Sequence, residues 1–132
     1  MANRLNTLLV MPQERRSALL HHIRALNANV LTASSCAEAT ERLRGDPEVR
    51  VVLTDLCLPD GSWFDVLNQV GDINTSAQVV VCARVADERL WSQVLEAGGF
   101  DVLVEPYQDR EVRRIVTAAA SQPCGRRLMA AS

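Results

Sequence analysis

There is no lysine in this chain of 132 residues; all fourteen basic residues are arginine. Any reaction that runs through a lysine amine is therefore excluded within it. Sixteen acidic residues leave a net charge of −2, with a pI near 5.6. That balance lacks the basic excess a nucleic-acid-binding face requires. No apolar run approaches the ~20 residues that cross a bilayer. The opening Met1-Ala2-Asn3-Arg4-Leu5-Asn6 has no long apolar core of the signal-peptide kind. A cytoplasmic protein without membrane contacts is expected. The four cysteines, Cys36, Cys57, Cys82 and Cys124, form no C-x-x-C pair and show no zinc-ligand spacing. Four free thiols in a reducing compartment are the simplest reading. The G-x-G-x-x-G signature of a dinucleotide site is also missing.

What is present is ordinary in amount, with 48% hydrophobic and 23% charged residues, and regular in arrangement. The length suits one domain, with a core large enough to need neither disulfide nor metal. Short β-branched runs at Thr7–Met11, Asn29–Thr32, Arg50–Thr54, Gln78–Cys82 and Phe100–Val104 read as strands. Runs such as Val51-Val52-Leu53 and Val79-Val80-Val81 are apolar throughout, as parallel strands covered on both faces are. Helical periodicity lies between them. Glu14–Leu26 aligns Leu19, Ile23 and Leu26. A second helix starts after Ser35, which forms a capping box with Glu38, and stops at Gly45-Asp46-Pro47. A third covers about Ser62–Val70, with Phe64, Leu67 and Val70 turned inward. A fourth follows Asp87, burying Leu90, Val94 and Ala97 before Gly98-Gly99 ends it. The fifth opens near Asp109 and buries Val112, Ile115, Val116 and Ala119. Five strand–helix units with right-handed crossovers define a doubly wound α/β domain over residues 1–121, with a tail at 122–132.

Reactive groups in such a sheet collect outside the carboxyl ends of its strands. Asp55 stands there, delivered by the apolar segment Val51-Val52-Leu53-Thr54. Taken alone, it reads equally well as a turn aspartate bonding nearby amides. The loop Met11-Pro12-Gln13-Glu14 lacks the Gly, Ser and Thr of a phosphate-cradling turn, so it does not suit a flavin. A phosphatase with an aspartyl nucleophile wants a second acid two positions on, where this chain has Cys57. A cofactor-binding or phosphatase enzyme is thus the disfavoured alternative.

Several segments together resemble the receiver domain of two-component response regulators. They are Leu8-Leu9-Val10, the run Val52-Leu53-Thr54-Asp55-Leu56-Cys57-Leu58-Pro59-Asp60-Gly61, Val79 to Ala83, and Ala97 to Tyr107 with its A-G-x-x-D-x-L-x-x-P-Y pattern. The resemblance covers residues 6 to 120 and implies a flavodoxin-like three-layer sandwich, sheet order 2-1-3-4-5. It also implies a non-enzymatic phosphorelay module. A histidine kinase or phosphotransfer protein would donate a phosphoryl group to the carboxylate ending the third strand, here Asp55. The family offsets the meeting of two anions with Mg²⁺ on an acidic pair, a lysine, and a switching hydroxyl.

This chain departs from that pattern at most of the pocket. The acidic pair falls at Met11 and Pro12, neither a ligand for a hard cation. The lysine position holds Glu105, the hydroxyl position Cys82, and the aromatic position of the fifth strand Val102. Trp63 replaces a usual glycine. A like charge at ~4 Å costs about 1 to 4 kcal/mol, so Glu105 opposes a charged phosphoryl group and Mg²⁺ binding should be weak or lost. Arg84, two residues beyond Cys82, is the candidate replacement cation, set against the plainer reading of a solvated arginine. Glu14 is explained by the helix dipole rather than by metal. Cys57 and Cys82 lie at neighbouring strand ends, where coincidence is favoured over a redox pair. His21 and His22 diverge around their helix and are expected at the surface. The implied output is protein–protein contact, with a downstream partner or through a homodimer on the surface of the fourth helix, fifth strand and fifth helix. Trp91 is a candidate anchor there. A phosphorylation-independent pseudo-receiver is the alternative within the family.

Overall fold

The computed structural model describes residues 5–73 and 76–122. Five parallel strands form the sheet: β1 (Asn6–Val10), β2 (Asn29–Ala33), β3 (Val51–Asp55), β6 (Gln78–Ala83) and β7 (Asp101–Val104). A two-residue-per-strand hairpin, β4 (Cys57–Leu58) and β5 (Gly61–Ser62), lies outside it. The helices are α1 (Gln13–Arg24), α2 (Cys36–Gly45), α3 (Trp63–Ile73), α4 (Glu88–Ala97) and α5 (Asp109–Ser121). The sheet runs β2-β1-β3-β6-β7, which is the expected 2-1-3-4-5 once the hairpin is set aside. Cys124 and the segment from 123 onward fall outside the described residues.

Alternation along each strand divides the apolar residues between two faces. Leu9, Met11, Val51, Leu53, Val80, Cys82 and Leu103 meet Leu19 and Ile23 of α1 and Val112, Ile115, Val116 and Ala119 of α5. Leu8, Val10, Val52 and Val79 meet Ala39 and Leu43 of α2 and Val66, Leu67 and Val70 of α3. Val81 and Val102 continue that second face beneath Val94 of α4. Both layers of helices are needed because every residue of β3 and β6 is buried.

Local chemistry sets the helix ends. Ser35 accepts from the Glu38 amide at 3.2 Å, while the Glu38 carboxylate accepts from the Ser34 amide at 2.6 Å. Asp87 caps α4 through the Leu90 amide at 2.9 Å. Gly98 ends that helix at φ 103°, a left-handed conformation that glycine adopts without penalty. One inward assignment fails: Phe64 is half exposed, because α3 starts at Trp63 and turns Val66, Leu67 and Val70 to the core instead. Among the described residues, no helix is long and apolar enough to cross a membrane.

Candidate functional site

β3 ends on Asp55, whose backbone lies opposite Cys82 of β6 in the parallel ladder. Asp55 shares the parity of Val51 and Leu53, so its carboxylate rises on the α1/α5 side of the sheet. It is 6% exposed. One oxygen, Oδ1, accepts from the Leu56 amide at 2.9 Å. The other, Oδ2, lies 2.6 Å from Nε of Arg15. The same guanidinium reaches Glu105 Oε2 at 3.5 Å. One cation therefore joins two carboxylates, one ending β3 and one just past β7.

The helix geometry explains why Arg15 arrives there. Counting back four residues from Leu19 on the inward stripe of α1 gives Arg15. It occupies the first turn, over the carboxyl ends of the strands. Burial alone would lower the Arg15 pKa, but Asp55, and then Glu105, outweigh it and raise the pKa above its ordinary value. Neighbouring Arg16 is used differently. Its guanidinium donates to the Met11 carbonyl at 3.1 Å and the Ser34 hydroxyl at 2.8 Å, tying the β1 exit to β2.

Arg84 does not supply the missing charge. The strand ends at Ala83, and Arg84 lies exposed in the turn that follows. It makes no ion pair among the described residues. The solvated reading holds for Arg84, and the pocket cation is Arg15, absent from the sequence-based candidates. An arginine on the apolar stripe of a helix's first turn was the available signal.

The remaining expected positions fall in several places. Met11 is fully buried in the α1/α5-side core, and Pro12 precedes the first residue of α1. Cys82 is fully buried beside Asp55, and burial, then the Asp55 charge, push its thiol far up. Tyr107 packs against the same core. Its phenol is likewise pushed far up by burial, then by Cys82 and Glu105. Glu105 stands at the edge, with a cis bond to Pro106. Cys57 is exposed on the hairpin and Cys82 is buried; both are free thiols. Val102 lies in the core under α4, and Trp63 is partly buried between the second-face clusters.

Two neighbouring contacts were not expected. Asp60, in the hairpin turn, accepts from the Cys36 and Ala37 amides at 2.8 and 3.0 Å, so the β3–α3 connection caps α2. These amides hold the Asp60 carboxyl below its usual range. His22, expected at the surface, is half-buried and contacts Asp109 at the start of α5. That contact lowers the Asp109 pKa. His21 remains exposed.

A divalent cation does not fit these residues. Among the described residues, no three His, Cys, Asp or Glu groups cluster to hold a metal. Met11 and Pro12 offer no side-chain oxygen, and a guanidinium already occupies Asp55 Oδ2.

The family model of the response regulator receiver domain matches residues 13–117. The chain belongs to that family, a class of two-component signalling module. It is 27% identical over 103 residues to the two-component response regulator ORR3 of rice, covering 76% of this chain and 78% of that protein. It is 24% identical over 80 residues to the chemotaxis protein CheY of Thermotoga maritima, covering 61% and 66%. The fold matches the receiver domain of sensor histidine kinase PA1611 from Pseudomonas aeruginosa with TM-score 0.79, 17% identity, and coverage of 91% and 100%. That structure has magnesium coordinated in its active-site cleft. A CheX–CheY–BeF3–Mg complex from Borrelia burgdorferi matches with TM-score 0.80 and 20% identity, covering 89% of this chain and 90% of that one.

Proposed function

We propose that this chain is a receiver module that signals by protein contact without phosphorylation and is not an enzyme. Asp55 holds the phosphoacceptor position, but an internal guanidinium stands against its carboxylate in place of the metal and lysine of the family pattern. The observation that carries this reading is the 2.6 Å contact of Arg15 Nε with Asp55 Oδ2. The charges of the pocket are in effect exchanged. Where the family pattern has acids after the first strand and a cation before the proline, this chain has Arg15 on the first helix and Glu105 before Pro106.

An incoming phosphoryl group would have to displace Arg15 from Asp55 while approaching Glu105, with no Lewis acid to neutralise the developing charge. Cys82 is a weak donor compared with a hydroxyl, which removes the pull that would reshape the β6–α4 loop. The partner is a protein, either a histidine kinase or phosphotransfer protein recognising the fold, or a downstream target. The exposed Leu95 on α4, beside partly buried Trp91, offers the contact surface, in keeping with a homodimer through α4, β7 and α5. We assign residues 1–121 to the domain and place the protein in the cytoplasm.

Intact-mass measurement after incubation with acetyl phosphate, with and without Mg²⁺, tests the reading. The expected result is no phosphoryl adduct in either condition. A Mg²⁺-dependent adduct that disappears in Asp55→Asn would overturn it.

A further inference from the structure

A cavity of about 600 Å³ opens between the end of α1, the approach to β3 and the outer half of α5. It lies at the amino ends of the strands, on the same face as the Asp55 carboxylate but at the opposite end. Its floor is apolar, with Leu5, Leu26 and Ala120 packed on the α1/α5-side core. Two arginines line its walls, Arg50 just before β3 and Arg113 on α5, and no carboxylate does among the described residues. Neither guanidinium is in an ion pair among the described residues. Asp109, one turn before Arg113, contacts His22 and also feels the Arg113 charge, without forming an ion pair with it.

We propose that this cavity binds a small amphipathic anion. A phosphate or carboxylate headgroup sits between Arg50 and Arg113, and a flat apolar body lies over Leu5 and Leu26. The guanidinium fork matches both headgroups, through paired charge-assisted hydrogen bonds. The volume falls within the range of small-molecule sites, and an apolar floor with a few convergent polar groups is their usual composition. In a protein with sixteen acidic residues, a cavity whose charged lining among the described residues is two arginines selects for negative charge. The Thr117 hydroxyl on the same wall adds a neutral donor. The inference is independent of the state of Asp55, which lies at the opposite edge of the sheet.

The test is an NMR titration of the full chain with phenyl phosphate, following arginine Nε–Hε and methyl signals. Saturable shifts confined to Arg50, Arg113, Leu26 and Ala120 are expected. Arg50→Gln and Arg113→Gln should each weaken binding about tenfold, the loss of one hydrogen bond to a charged group. Arg89→Gln, on exposed α4, should leave it unchanged. Absence of shifts in the full chain overturns the proposal, as do shifts centred elsewhere. Equal binding of inorganic phosphate or of benzyl alcohol also overturns it, because either removes one half of the claimed recognition.

Discussion

Arg15 occupies the first turn of α1, where the helix dipole disfavours a cation by a few tenths of a kcal/mol or more. Its position is sustained by the two carboxylates it joins. Its side chain is 15% exposed and that of Asp55 is 9% exposed, so the pair is largely desolvated. Removing one partner from such a pair leaves the other charge uncompensated. Arg15→Gln should therefore cost about 2 kcal/mol in urea unfolding. A double-mutant cycle with Asp55→Asn should return a coupling of at least about 1 kcal/mol. Additive losses would show that the two side chains do not hold one another. The thiols give a second check at this scale. Burial, with Asp60 and Asp65, pushes the Cys36 thiol up to about 11, and Cys82 is fully enclosed. Iodoacetamide at pH 8 should label Cys57 in a Cys124→Ser background and leave Cys36 and Cys82 intact by peptide mass, because thiolate is the reactive form. Rapid labelling of Cys82 would contradict its enclosure. Asp55 was legible because it directly follows an apolar strand pattern and falls where the receiver resemblance puts its acceptor carboxylate. Arg15 was not, because a stripe reading counts apolar residues and stops at Leu19, whereas the same stripe continues through a charged side chain. Arg84 drew attention by proximity in sequence, but the chain leaves the sheet at Ala83.

Among the elements, the connection from β3 to α3 does more than link them. Asp60 in its turn caps α2, and Gly61 sits so close that a Cβ would fall 2.6 Å from Asp65 Oδ2 and 2.9 Å from Cys36 Sγ. The Asp60 carboxyl is depressed in the folded state and ordinary in the unfolded one. Its stabilisation is therefore fully present above the ordinary carboxylate value of 3.8, and is lost as pH falls through the lower folded value. Asp60→Asn should flatten the stability profile in that acid window. It should also speed amide exchange at Cys36 and Ala37. An unchanged profile would assign the capping no role in stability. The hairpin itself escaped sequence reading because four residues carry no period, and Pro59-Asp60 reads only as a turn. The five sheet strands were readable to within a residue because continuous apolar runs leave few alternatives. The helix–loop bridge gives a further prediction. Arg15→Glu and Glu105→Arg each unbalance the charges around Asp55, whereas the double variant again leaves one cation between two acids. The double variant should recover at least about 1 kcal/mol relative to additivity in urea unfolding; additive losses would show that the α1 and β7–α5 segments are not joined through this bridge.

For the whole molecule, the sheet sets the clamp on its α1/α5 side and α4 on the other. Asp55, Arg15, Cys82 and Tyr107 lie on the α1/α5 side, whereas Val81 and Val102 lie beneath Val94 of α4. Coupling between the two regions in a phosphorylated receiver needs an element with two arrangements. Here the position of the switching hydroxyl is an enclosed thiol, and the position of the aromatic is a valine 1% exposed within the core. On the proposed reading, the α4 surface binds its partner without a covalent signal. Its apolar area is small: Leu95 is 50% exposed, and Val85, in the turn before the helix, is 79% exposed. A patch of that size suits a weak interface rather than an obligate one. Leu95→Lys places a cation in the last turn of α4, where the dipole favours it, so stability should change by no more than about 0.5 kcal/mol. Sedimentation velocity over a concentration series should show wild-type self-association that Leu95→Lys abolishes. A wild-type chain that stays monomeric throughout would remove the homodimer and leave the α4 surface to a different protein. Association that survives Leu95→Lys would move the interface away from α4.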